Sequence, residues 1–285
     1  MLPIARILVP VDFSERVRGV LPWARAFAAQ YHARVTLMHV VSPFLVIPPT
    51  GLSGEVWLPI TGSAVVDKAK ELDEWAPGEL EGVEVQRLVY EGDPVGQLVS
   101  FAASEKIDLV VTSTHGYGVL RRFLIGSVAA KLLHDLECPV LTGVHLAESA
   151  DGPVEIRKVL CSVDLGAETG STISYAAELA RDFGGTLEVI HVVPELSSRL
   201  EPEASARWKS DLLADLSSAA AAAGAESADL RIEGGDIAET VCARAGVVGA
   251  SILVVSRGAR EESGKRLSGE AYAIVRQSPC PVLSL

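Results

Sequence analysis

Five short apolar runs, separated by four longer stretches that carry apolar residues at helical spacing, organise the first half of the chain. Ile4–Val11, Arg34–Val41, Val83–Tyr90, Ile107–Val111 and Val140–Val144 read as strands. The near-continuous apolarity of Ile4–Val11 fits a strand covered on both faces of a parallel sheet. Ser14 is placed to cap a helix carrying Val17, Leu21, Ala24 and Ala28, although Pro22 inside that pattern predicts a late start or a bend. A second helix is expected from Ser63 to Trp75 and a third from Val95 to Glu105, with Pro94 in its first turn. Gly126-Ser127 opens a fourth, whose Val128, Leu132, Leu133 and Leu136 share one face. Strands alternating with helices in this way predict an α/β fold with a parallel sheet.

The pattern then repeats. Val9-Pro10-Val11-Asp12 is answered by Cys161-Ser162-Val163-Asp164, and His39-Val40-Val41 by His191-Val192-Val193, both at an offset of 152. Gly92-Asp93 is answered by Gly235-Asp236 at 143, and Cys138-Pro139-Val140-Leu141 by Cys280-Pro281-Val282-Leu283 at 142. Constant order at nearly constant spacing indicates duplication of one unit. The drop in offset puts an insertion of about nine residues into the first half, and the apolar, Pro/Gly-rich stretch Ser42–Gly62 is its natural place. That stretch fits a cover for a crevice, an association surface, or a loop packed on its own unit. The expected organisation is one unit over 1–145, a linker over 146–153, and a second unit over 154–285.

Composition narrows the class. With 285 residues, 48% of them hydrophobic, the chain can bury two ordinary cores. A net charge of −12, spread over both halves, argues against a nucleic-acid partner, which needs a basic face. No apolar run is long enough to span a membrane, and the N-terminus enters a strand pattern at once instead of a secretory signal. Cys138, Cys161, Cys242 and Cys280 show no CxxC spacing, so reduced, mostly buried thiols and a cytoplasmic location are expected. No His, Cys and carboxylate cluster has metal-ligand spacing.

The chemistry-bearing stretch runs from Thr112 to Val140. It reads as the end of a strand, a glycine-bearing loop and a helix N-terminus, which together make an anion site from free backbone N–H groups and the positive end of the helix dipole. Asp12 follows strand one. In an open α/β sheet, ligands bind beyond the carboxyl ends of the strands where the strand order reverses. If strands one and four are neighbours, Asp12 and residues 116–127 face one crevice. Asp12 serves there as an acceptor for a ribose hydroxyl or an adenine edge, or only as a turn and helix-start residue. Arg121 and Arg122 fit either phosphate contact or a solvated pair, and His39 and His191 fit buried structural histidines.

These residues resemble the universal stress protein family. The resemblance rests on Val-Pro-Val-Asp-Phe-Ser after strand one, His-Val at strand two, Gly-Asp-Pro before helix three and Cys-Pro-Val at strand five. Its most specific part is the spacing Gly116, nine residues, Gly126-Ser127. ATP-binding members carry a further glycine before it, where this chain has Ser113. The resemblance implies two tandem Rossmann-like (adenine nucleotide alpha hydrolase-like) domains, each a five-stranded parallel sheet of order 3-2-1-4-5 flanked by helices. It also implies ATP, ADP or AMP in the crevice, with Mg2+ entering only with the nucleotide. Pro10, Asp12 and Val40 would border adenine and ribose. Thr112, Ser113, His115, Gly116, Gly126, Ser127 and Val128 would border ribose and phosphates. The implied pairing through strand five makes either an intramolecular pseudo-dimer or a homodimer.

The second half departs at the loop. Ten residues separate Gly258 from Gly269, no histidine precedes Gly258, and Glu270 stands where a serine is expected. Glu261 and Glu262 add negative charge, while Arg257, Lys265 and Arg266 offer the opposite possibility of another anion site. The expectation is a nucleotide-binding stress or regulatory protein with an unidentified protein partner. Its site lies in the first half, and the second half is mainly structural. A slow ATPase or phosphotransferase ranks below this, because no general base beyond Asp12 and no acceptor site is named. A nucleotide-independent scaffold is the third reading.

Overall fold

The computed structural model describes residues 1–46, 56–58, 62–114, 125–143, 153–194, 202–258 and 268–285. The first half runs β1 (Arg6–Pro10), α1 (Glu15–Arg18), α2 (Leu21–Tyr31), β2 (Arg34–Val41), β3 (Phe44–Val46), β4 (Val56–Leu58), α3 (Gly62–Glu74), β5 (Val85–Glu91), α4 (Pro94–Ser104), β6 (Leu109–Ser113), α5 (Ser127–Asp135) and β7 (Val140–Gly143). The second runs β8 (Lys158–Val163), α6 (Thr169–Asp182), β9 (Thr186–Val193), α7 (Pro202–Ala222), β10 (Asp229–Gly234), α8 (Ile237–Val247), β11 (Ile252–Val255), α9 (Gly269–Gln277) and β12 (Val282–Ser284).

Local chemistry accounts for the element ends. Ser14 Oγ accepts from the Val17 N–H and starts α1, which stops at Gly19; Pro22 then falls in the first turn of α2, where its missing N–H costs nothing. The expected bend is thus a complete break into two helices. Gly92 and Gly235 have φ of +135° and +146°, which side-chain-bearing residues rarely adopt. Each is followed by an aspartate that caps the next helix: Asp93 Oδ2 accepts from Gly96 N–H at 2.7 Å, and Asp236 Oδ1 from Glu239 N–H at 2.9 Å. The repeated Gly-Asp pair is therefore a strand-to-helix turn. Within the inserted stretch, β3 and β4 pair antiparallel as a two-stranded sheet apart from the main one.

One ten-stranded sheet runs through both halves in the order β10-β9-β8-β11-β12-β7-β6-β1-β2-β5. Each half keeps the 3-2-1-4-5 order with parallel pairing, and the halves join where β7 and β12 pair antiparallel, Leu141 opposite Leu283. Strand five, an edge within each unit, is thereby central in the joined sheet. Pro139 and Pro281 precede these strands, and their carbonyls accept from the Val110 and Leu253 N–H groups, so no ladder donor is lost.

Apolar cores cover both faces of the sheet, and each contains residues of both halves. One includes Phe27, Leu72, Leu179 and Leu216; the other includes Leu98, Leu132, Val241 and Ile274. On the first face Asp182 of α6 accepts from the Leu2 N–H at 3.0 Å and its carbonyl from Gln30 Nε2 at 2.6 Å. The Phe27 and Phe183 rings meet at 5.4 Å. No helix among the described residues is long and apolar enough to cross a membrane.

Candidate nucleotide site

The strand order reverses between β1 and its two neighbours, β2 and β6. Ile7 pairs with Leu109 and Leu8 with Val110, so at the same offset Pro10 is level with Thr112. The chain leaves β1 and β6 side by side at the carboxyl end of the sheet, the location expected for a ligand crevice.

Pro10 ends β1, half-buried, opposite Met38. Asp12 is also half-buried. Its Oδ1 accepts from the Ser14 N–H at 2.9 Å, an Asx turn that hands the chain to the Ser14 cap. Phe13 between them takes φ of +63°, uncommon for a bulky residue, and Leu165 repeats it at +60°. The strained turn is thus shared by both halves, but only the first carries an aromatic ring there. The Phe13 ring lies 4.6 Å from that of His39 and 6.2 Å from that of Trp75, with Lys68 Nζ 4.6 Å from its centre. His39 Nδ1 donates to the Val11 carbonyl at 2.7 Å, and burial lowers its pKa. His191 makes the same bond to Val163 at 2.9 Å. Both histidines fasten strand two to the turn after strand one. Val40 lies beyond His39 on β2, half-buried and opposite Tyr90.

Thr112 and Ser113 lie within β6 and are buried, Ser113 opposite Gly143. Ser113 therefore occupies a strand position and not a loop turn that needs glycine. Thr112 Oγ1 donates to the Ser113 carbonyl at 3.3 Å, and Thr114 Oγ1 to that of Gly143 at 3.4 Å. His115, Gly116, Arg121 and Arg122 lie outside the described residues. The loop nonetheless returns to its start, because the Gly126 N–H donates to the Thr114 carbonyl at 2.6 Å. Gly126 is the N-cap of α5, with no side-chain cap and no acidic residue in the first turn. Ser127 and Val128 are exposed there. The first N–H groups of a helix have no intrahelical partner, so this end is chemically suited to an anion.

The second half closes the same position itself. The N-cap of α9 is Ser268, whose Oγ accepts from the Ala271 N–H at 3.1 Å, and Glu270 sits in the first turn. The helix starts also correct the loop comparison. Ser268 corresponds to Gly126, so nine residues follow Gly258 just as nine follow Gly116, and Glu270 matches Val128, not Ser127. A groove of about 710 Å³ beside it is bordered by Asp236, Glu239 and Glu270. On the offsets of the repeat, the first half has Asp93, Gly96 and Val128 at these places, with Lys131 matching Ala273.

Arg257 takes a part that sequence reasoning missed. It is 1% exposed, and its guanidinium donates to the main-chain oxygens of Leu133, Leu136, Cys138 and Leu285 at 2.9–3.0 Å. It is therefore a link between the halves, not part of an anion site with Lys265 and Arg266, which lie outside the described residues with Glu261 and Glu262. Its neighbour Ser256 donates to Glu168, and the Gly258 N–H to Ser256 Oγ. The only signal in the sequence is an arginine two residues after an apolar strand, where the first half has His115. All four cysteines are free, and no group of three or more His, Cys, Asp or Glu side chains could hold a metal among the described residues.

A strand-order reversal at β1, a glycine-capped helix beside it and two units joined through strand five define the class, and comparison with known proteins agrees. The family model of the universal stress protein family matches residues 3–142 and 155–285. The chain belongs to that family as a tandem, two-unit member. Universal stress protein MJ0531 of Methanocaldococcus jannaschii is 34% identical over 142 residues, covering 48% of this chain and 79% of that protein. A universal stress protein of Mycolicibacterium smegmatis is 30% identical over 189 residues, covering 65% of this chain and 63% of its own. The crystal structure of a universal stress protein from Archaeoglobus fulgidus shares the fold, with a TM-score of 0.68 at 22% identity, over 98% of this chain and 95% of that one.

Proposed function

We propose that this chain is a cytoplasmic regulatory protein that binds ATP, ADP or AMP in its first half, while its second half is mainly structural. The units in this reading are residues 1–145 and 154–285, joined by 146–153. The observation that carries it is the contrast between the two helix starts. Gly126 leaves the N–H groups of α5 without a side-chain cap, whereas Ser268 and Glu270 supply a cap and a negative charge to α9. Support comes also from Asp12, which lies past the end of β1 beside β6 and uses one carboxylate oxygen for its turn. Pro10, Asp12 and Val40 would hold the adenosine part. Thr112, Ser113, His115, Gly116, Gly126, Ser127 and Val128 would border the ribose and phosphates, with Mg2+ brought by the nucleotide.

Mass spectrometry of small molecules released from the purified protein, with thermal shifts in ATP, tests this reading. The expected result is an adenine nucleotide, or a rise in melting temperature with ATP that disappears in Gly126→Glu. No bound nucleotide and no shift would overturn it and leave the scaffold.

A further inference from the structure

Arg257 belongs to the second half by sequence, but among the described residues three of its main-chain acceptors lie at or just past the end of α5 in the first, against Leu285 alone in its own half. Leu133 is in the last turn of that helix and Leu136 is its C-cap, so their carbonyls are among those a helix leaves without partners. The guanidinium satisfies them and brings a positive charge to the negative end of the helix dipole.

A second, independent difference matches this one. At the same place in the second half, Ser278 Oγ donates to the Cys280 carbonyl at 2.7 Å and accepts from its N–H at 3.3 Å. The first half has Leu136 there, which carries no hydroxyl, and Arg257 Nη2 takes the corresponding Cys138 carbonyl at 2.9 Å. One helix end closes itself, and the other is closed from across the junction. The residue that does so stands where the first half has His115, one position before the glycine of the loop.

α5 has nine residues, so its two ends are roughly 13 Å apart at 1.5 Å per residue. A short helix held at its C-terminal end is held throughout, and its N–H groups then point in one direction. We infer that Arg257 is a positioning residue for the anion site at the N-terminus of α5. The position equivalent to the nucleotide loop in the second half has become the support of the site in the first. This inference rests on the nucleotide reading above. It distinguishes Arg257 from a generic interface residue, because the effect falls on the phosphates and not on the adenosine.

The test uses the full chain as wild type, Arg257→Lys and Arg257→Met, each below its melting temperature and with native circular dichroism. Titration with ATP and with adenosine gives two affinities per protein. The expected result is ATP binding weakened three- to tenfold in Arg257→Met, adenosine binding unchanged, and Arg257→Lys in between. Equal weakening of both ligands, or unchanged ATP binding, would overturn the inference. Amide exchange in the ligand-free protein keeps the two readings separable. If wild type binds neither ligand, the nucleotide reading fails by itself. Positioning is then supported by faster exchange at residues 130 and 131 in Arg257→Met, and overturned if only the last turn of α5 loosens or nothing changes.

Discussion

The Gly126 N–H meets the Thr114 carbonyl at 2.6 Å, so the chain returns to the strand it left before it enters α5. That bond sets the helix start against the carboxyl end of β6. It also uses up the Gly126 donor, leaving the N–H groups of the next residues as the free ones. With φ of −59° and ψ of 148°, Gly126 has a backbone that any residue can adopt. The glycine is therefore not demanded by conformation; what it contributes is the absence of a side chain at the cap.

Gly126→Ser should then copy the cap that Ser268 provides in the second half. It should raise stability by a few tenths of a kcal/mol and weaken ATP binding on the order of tenfold, as one N–H turns from phosphate to hydroxyl. Val128→Glu should weaken ATP at least as much, with little change in stability, because it places the charge of Glu270 at an exposed site. Calorimetric titration paired with urea unfolding separates the two effects. Unchanged ATP affinity in both variants would remove α5 from the site.

His39 should make the fold sensitive to mild acid. Burial lowers its pKa from the usual 6.5, the largest of several influences, while its Nδ1 hydrogen bond to Val11 partly opposes this. The folded protein thus holds His39 neutral where the unfolded chain binds a proton. The contribution is fully present above 6.5 and is lost as pH falls from there through the lower, folded-state value. Urea midpoints should drop between pH 7 and pH 5 by more in wild type than in His39→Gln. A ring-proton titration giving His39 a pKa at or above 6.5 would contradict this.

Local rules made most of the fold legible. Strand two was expected over Arg34–Val41 and forms there, and the Ser14 cap, Pro94 start and Gly-Asp turns follow from residues within a few positions of each other. Strand order is a non-local property and came from the family resemblance. Matching by glycine identity shifts the second loop by one residue, because helix position decides: Gly269 follows the cap instead of being it. Arg257 was illegible for a related reason. Its partners across the junction lie 119 to 124 positions earlier in the chain, and no local pattern marks a guanidinium that will be buried against them.

The thiols should be slow to react. Burial raises the pKa of Cys161 and Cys280, with the Ser278 hydroxyl partly opposing it for the latter. The Cys242 thiol is pushed up to about 12, by burial first and by the neighbouring Cys280 and Asp236 next. At pH 8 only ~1 in 10⁴ of Cys242 is then thiolate, the reactive form. Iodoacetamide in native buffer should leave Cys161, Cys242 and Cys280 largely unmodified over an hour and label them fully in guanidinium. Rapid native labelling of Cys242 or Cys280 would show that the packing of α8 against α9 opens readily.

The two units should unfold as one. Leu141 and Leu283 face each other across the antiparallel junction, both fully buried, and the core on either side of the sheet contains residues of both halves. Separating the units would expose the edges of β7 and β12 and strip α5 of Arg257, so neither unit gains from melting first. Calorimetry should show one transition whose calorimetric and van't Hoff enthalpies agree. Leu141→Ala removes side-chain volume at the junction and should cost about 2–5 kcal/mol. Because the junction is shared, the whole transition should move to lower temperature without splitting. Two transitions in wild type, or a split in Leu141→Ala with one part unmoved, would mean that each unit stands alone and that the shared cores contribute little.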